Sequence, residues 1–193
     1  RKGDLPLPPE SINEMYAAIR ESSYLFQEPI VQHQALNRLN PASVNTIRID
    51  TFIDQTGTCN LISAYIRMSI ESSYVDNISS GGIFVGVDLD SGYLHEEGYS
   101  SITISGAGSY RSHPVTGIEF KGFKLPFLDE VKQLALKAAS LLPQLRLIGW
   151  DVAITPEGPL LVEGNCGYDI TFNDLVAGGF RNHPVFSKVL EES

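Results

Sequence analysis

The 193-residue chain is 42% hydrophobic and 19% charged, an ordinary globular composition with enough apolar material for one buried core. Its formal net charge of -9, with no lysine- or arginine-rich run, excludes nucleic acid as the expected partner, and no apolar run is long enough for a membrane span or a signal peptide. Cys59 and Cys166 sit in neither a CxxC nor a Cys/His ligand spacing, which excludes a disulfide framework and a zinc site and fits a soluble protein of the reducing cytoplasm.

Residues 3–9, "GDLPLPP", open the chain, and Ser11 with Glu14 forms a capping box ahead of Ile12, Met15, Ala18 and Ile19 at helical spacing. A short helix to about Arg20 follows from that pattern, making residues 1–22 an opening segment and helix. "YLFQEPIVQH" is an apolar run broken by Pro29, and "VNTIRIDTF" begins an alternating, β-branched stretch. Strands over 45–53 and 58–68 flank the turn signal "DQTG", and strands over 82–89 and 93–98 flank "DSG". A second helix is predicted near Phe127, with Asp129 and Glu130 in its first turn, Leu128, Val131, Leu134, Ala135, Ala138 and Leu142 on one face, and Pro143 at its end. A final hairpin spans 145–165. Helix, antiparallel strands, helix, hairpin is an α+β order, an antiparallel sheet with flanking helices.

The last hairpin, "GWDVAITPEGPLLVEGN", carries a register. Pro156 and Gly158 suit a three-residue loop, which sets Thr155 opposite Pro159, Ile154 opposite Leu160 and Val152 opposite Val162 on an apolar face with Trp150. Asp151 then lies across from Glu163, with Asn165 one step further on the same side. Neighbouring carboxylates repel unless a positive group lies between them or one takes a proton. Oxygen-only ligands suit a hard ion such as nucleotide-bound Mg2+, and a solvated acidic hairpin face is the alternative.

Arg48 shares a strand face with Ser63, Tyr65 and Arg67 if the "DQTG" loop is even in length. Arg48 then pairs with Ser63, and the two arginine roots stand roughly 13 Å apart at about 3.3 Å per residue. That span suits a triphosphate and a second substrate. Alternatively, each arginine is an ion-pair partner, of Asp50 or Asp76. Of the histidines, His33, His95 and His183 fit turn or satisfied polar roles, while His113 reaches a ligand if the 105–117 loop folds over the sheet.

The ordered set "QEPIVQH", "VNTIRI", "RM", "VDNISSGG", "GWDVAIT" and "VEGN" resembles the ATP-grasp superfamily, and within it the sugar-transfer-associated branch, over about residues 24–175. The resemblance implies an ATP-grasp C-terminal lobe over 23–193 with a hinge at Gln27 to Ile30, where Glu28 and Ile30 meet adenine. It implies Asn45, Arg48 and Asn77 as further ATP contacts, Arg48 and Arg67 as the catalytic cations, and Asp151, Glu163 and Asn165 as magnesium ligands. The implied activity is an ATP- and Mg2+-dependent carboxylate-amine ligase working through an acyl phosphate, on surface-polysaccharide or peptide-like precursors. The implied partners are ATP and a carboxylate-bearing small molecule or peptide-like acceptor. Only about 25 residues precede the hinge, so the resemblance also implies that the N-terminal ATP-grasp lobe belongs to a longer chain, or that catalysis has been lost. A non-catalytic nucleotide-binding or interaction domain is one rival, and a small-molecule kinase another.

Overall fold

The strands in chain order are β1 (Thr46–Ile53), β2 (Cys59–Met68), β3 (Ile83–Val87), β4 (Leu94–Ser100), β5 (Ser109–Tyr110), β6 (Leu147–Thr155) and β7 (Gly158–Asn165). They form one sheet ordered β5-β4-β3-β2-β1-β6-β7 in a computed structural model that describes residues 9–21, 28–70, 82–100 and 108–191. Every neighbouring pair is antiparallel, so the chain adopts the α+β class that its sequence order predicts.

Alternation divides the sheet into two faces. Ile47, Ile49, Ile66, Ile148, Trp150 and Val152 are buried on one. Helix α3 (Leu128–Ser140) packs there through Leu128, Val131, Ala135 and Ala139. Its first turn carries Asp129 and Glu130, as the sequence pattern predicts. Each fully buried large aliphatic side chain contributes about 1.5–3 kcal/mol. The opposite face is covered by α4 (Thr171–Val176), whose Phe172 meets Phe84 with ring centroids 4.6 Å apart. Next to it Phe52 and Ile62 pack with Phe180 and with Phe186 at the start of α5 (Phe186–Glu191).

Several expectations are corrected. Helix α1 (Pro9–Glu21) starts ahead of Ser11, which therefore lies inside it rather than capping it. Helix α2 (Gln34–Leu39), short and capped by the His33 ring accepting from Ala35 N at 3.1 Å, has no counterpart among the predicted elements, and neither have α4 and α5.

The tip of the last hairpin is tighter than predicted. Thr155 pairs with Gly158 (φ 129) around Pro156 and Glu157, so Ile154 faces Pro159 and Val152 faces Leu161. A bulge between Asp151 and Val152 then absorbs one residue and restores Asp151 opposite Glu163. Leu160 and Val162 consequently stay 46% and 40% exposed rather than joining an apolar face.

The β1–β2 hairpin departs in a similar way. Residues 54–58 connect Ile53 to its partner Cys59, an odd loop, and a second irregularity sets Ile62 and Ser63 together across from Asp50. The two shifts add. Arg48 therefore moves from the expected Ser63 to Tyr65, and its face is unchanged.

Candidate functional site

On the face away from α3, cross-strand pairing sets Arg48 between Tyr65 of β2 and Asp151 of β6. Arg67 pairs with Thr46, which makes it the diagonal neighbour of Arg48, and such neighbours lie about 7–8 Å apart. The expected 13 Å separation is thereby corrected. Both guanidiniums end on one carboxylate: Arg48 Nε and Nη2 donate to Asp151 Oδ1 and Oδ2 at 2.5 and 3.0 Å, and Arg67 Nη2 stands 2.9 Å from Oδ2. Arg67 also donates to Thr46 Oγ1, at 2.6 Å through Nη2. The counter-ion of Arg48 is thus Asp151, while Asp76 lies outside the described residues.

Asp151 is 1% exposed. Burial alone pushes its pKa up, but the Arg48 hydrogen bonds and the charges of Arg67 and Arg48 outweigh it and hold the carboxyl below the usual range. For Arg48, burial works against the charged form and the bidentate bond to Asp151 prevails, so its pKa is raised.

Glu163 and Asn165 reach the same patch from β7. Asn165 Nδ2 bridges the acids, 3.1 Å from Glu163 Oε1 and 3.4 Å from Asp151 Oδ2. Two carboxylates side by side require a positive group, and the two arginines provide it. In kind, this all-oxygen donor set fits a hard divalent cation. Among the described residues, however, no group of three or more His, Cys, Asp or Glu is arranged to hold a metal. Both Asp151 oxygens already serve guanidiniums, so a cation reaching Asp151 has to compete with an arginine.

Behind this patch lies a second polar cluster that the sequence reading only touched. Asp50 is 1% exposed, and Ser63 Oγ donates to its Oδ2 at 2.6 Å. Asn173 Nδ2, delivered by α4, donates to the same oxygen. Burial raises the Asp50 pKa, and Ser63, the approaching Tyr168 hydroxyl, the Arg48 charge and Asn173 oppose that rise without cancelling it. Burial and then the Asp50 charge raise the Tyr168 pKa too, keeping it a neutral phenol. The Tyr168 ring lies 5.4 Å from Arg48 Cζ, a cation–π distance. It can lie this low because Gly149 has no side chain: a Cβ there would stand 3.1 Å from Tyr168 Cε1. Burial pushes Tyr65, the partner of Arg48, up to about 12. The "TIRID" alternation was the available signal for Asp50. Tyr168 and Asn173 had none, because they arrive from more than a hundred residues away.

A model of the sugar-transfer associated ATP-grasp family matches residues 13–184. The chain belongs to this family. Comparisons with curated proteins and with solved structures give no match. ATP-dependent, ligase-like function therefore applies at the family level, and the sheet with its helices has the form of an ATP-grasp lobe.

Within this ATP-grasp lobe, Glu28 is exposed and Ile30 half-buried. Ile30 lines a cavity of about 590 Å³ with Pro29, Gln32, Asn37, Pro41 and Val44, and His33 N ties the segment to Ile154 O at 2.8 Å. Asn45 does not join the arginines. Alternation turns it to the α2 side of the sheet, where it is fully buried and bonds Asn40 O, Leu36 O and Asn40 Nδ2 at 3.0, 3.2 and 2.9 Å. Gln27 and Asn77 lie outside the described residues.

Three histidines are spoken for by the backbone. His33 caps α2, His183 accepts from Phe186 N at 3.2 Å, and buried His113 pairs with Ser69 O at 2.9 Å rather than reaching toward a ligand. Cys166 is exposed. Among the described residues no helix is long and apolar enough to cross a membrane.

Proposed function

We propose that this chain serves as a Mg2+-dependent ligase that joins a carboxylate to an amine through an acyl phosphate, with ATP as the phosphoryl donor. The reading is supported chiefly by the meeting of Asp151, Glu163, Asn165, Arg48 and Arg67 on one sheet face in a chain of the ATP-grasp family. Asp151, Glu163 and Asn165 are the proposed magnesium ligands, and Glu28 and Ile30 the proposed adenine contacts at the hinge. Residues 23–193 then act as the C-terminal lobe of the grasp, which closes on ATP against a second lobe.

A substrate carboxylate oxygen attacks the γ-phosphorus, and the bond to the bridging oxygen breaks to release ADP. The amine nitrogen next attacks the acyl carbon, the carbon–oxygen bond to phosphate breaks, and the nitrogen gives up a proton. Magnesium supplies charge neutralisation at the phosphate oxygens. Arg48 and Arg67 hold fixed positive charge beside those oxygens, so the site need not reorganise as negative charge moves toward ADP. Before a cation binds, Asp151 orients both guanidiniums, and Asn165 sets the spacing of the two acids. No protein nucleophile is required.

The cytoplasm, with its ATP and magnesium, is the proposed setting, and a surface-sugar or peptide-like precursor the proposed substrate class. One observation favours a second reading, a nucleotide-binding domain without turnover: both Asp151 oxygens are held by arginines. Incubation with Mg·ATP, hydroxylamine and a panel of carboxylates separates the readings. A hydroxamate formed with equimolar ADP supports the ligase. ADP without hydroxamate, in the presence of hydroxyl acceptors, points to a kinase. No ADP with any substrate, despite bound nucleotide, leaves the non-catalytic domain.

A further inference from the structure

Asp50 keeps one buried oxygen unpaired close to the stem of Arg48. Its Oδ1 and the neighbouring Asn173 Oδ1 are buried acceptors with no partner at hydrogen-bond geometry, although the Tyr168 hydroxyl approaches the Asp50 carboxyl, and native proteins rarely leave that state unexplained. Oδ1 stands 3.0 Å from the point where a Cβ on residue 149 would sit, and Arg48 Cδ also stands 3.0 Å from that point. Only glycine at 149 therefore lets the arginine stem and the unpaired oxygen close in on the same point, about which they stand side by side. The Tyr168 ring borders that point too, with Cε1 3.1 Å from it, and already lies under the guanidinium. Turning Arg48 about its terminal torsions would carry its donors from Asp151 toward Asp50 without leaving the aromatic wall.

We propose that Asp50 is a second seat for Arg48, a positioning residue that takes over the guanidinium whenever Asp151 is claimed by another ligand. An arginine stripped of its hydrogen-bonded buried counter-charge is strongly destabilising, and a second carboxylate one alternation step along the same strand avoids that penalty. The burial that makes the Asp50 carboxylate costly in its present surroundings is relieved by the same move. For the ligase reading, the consequence is that Asp151 can turn an oxygen to a cation while Arg48 stays charged and stacked a few ångströms away. The second seat itself is a property of this chain without metal or nucleotide, so it stands or falls apart from that reading.

The test is a crystal structure of the Asp151→Asn protein without metal. The expected result is a guanidinium nitrogen of Arg48 within about 3.2 Å of Asp50 Oδ1, still over the Tyr168 ring. Arg48 turned to Glu163 or to solvent, or Tyr168 closing its hydroxyl onto Oδ1 in the arginine's place, overturns the proposal. A protein that no longer folds on this one change also counts against it, because the second seat should spare Arg48. Gly149→Ala provides an independent check, since its methyl group would wedge between Arg48 and Asp50 and alters no charge. Asp151→Asn should then lower the folding equilibrium constant about tenfold more in the Gly149→Ala background than alone, a coupling typical of groups that share one space. Equal effects in the two backgrounds would overturn the second seat.

Discussion

Replacing Arg48 by methionine removes the two hydrogen bonds at 2.5 and 3.0 Å that hold Asp151, while an apolar stem still fills the space over Tyr168. Breaking a buried pair costs about 3–5 kcal/mol when the survivor is left alone. Asp151 is not left alone, because Arg67 remains 2.9 Å away, so the lower end, about 3 kcal/mol near pH 7, is expected. At about 2 kcal/mol per molar urea, this lowers the unfolding midpoint by about 1.5 M. The deficit should also depend on pH. In the folded protein Asp151 has a depressed pKa, so the stability it contributes is fully present above its unfolded pKa and is lost as pH falls through the folded one. Removing Arg48 moves the folded pKa back toward the ordinary range, and protonated Asp151 no longer needs the arginine. The deficit is therefore largest at neutral pH and narrows below about pH 4. Urea titrations at pH 7, 5 and 3, followed by the fluorescence of buried Trp150, the single tryptophan, measure this directly. A deficit of the same size at pH 7 and pH 3 would refute the assignment of Asp151 as the group that Arg48 holds ionised.

Gly164→Val should destabilise the last hairpin by about 1–3 kcal/mol through overpacking, because a Cβ at 164 would stand 2.7 Å from Trp150 Cζ3. A lowered thermal midpoint with a shifted tryptophan emission is expected, and an unchanged midpoint contradicts the packing described. His113→Ala should cost about 0.5–1.5 kcal/mol by removing the 2.9 Å hydrogen bond to Ser69 O, which keeps only Asn40 Nδ2 at 3.5 Å. Nucleotide affinity, measured by calorimetry, should be unaltered in the folded variant, and a weakened affinity would move His113 into the ligand's reach.

What was legible in the sequence was which side chains share a face. What was not legible was how far apart they stand. Alternation in "TIRID" and "GWDVAIT", together with "VEGN", correctly set Arg48, Asp151, Glu163 and Asn165 on one side, because burial of the intervening residues enforces a period of two. Distances failed where the chain inserts single residues. The odd loop and the bulge opposite Asp50 together moved Arg48 by two positions, and the bulge at Asp151 compensated for a tighter "PE" turn. Bulges leave little trace in a hydrophobic pattern, and in each hairpin a single bulge combined with an unexpected loop length to preserve parity. Asn45 shows the complementary limit: family resemblance put it beside the phosphates, whereas its place one residue before Thr46 turns it to the other face. Helix α4 was missed for a different reason. Its value lies in bringing Asn173 to Asp50 across 123 residues, and a six-residue helix carries little periodic signal.

The proposed metal–nucleotide site on the carboxylates of β6 and β7 is tested most directly by calorimetric titration of Mg·ADP into the protein and into its Asp151→Asn and Glu163→Gln variants, each first shown to be folded. The expected result is binding to the parent that weakens in both variants and disappears when magnesium is withheld. Binding that is equal in all three proteins, or no binding to any of them, would contradict it.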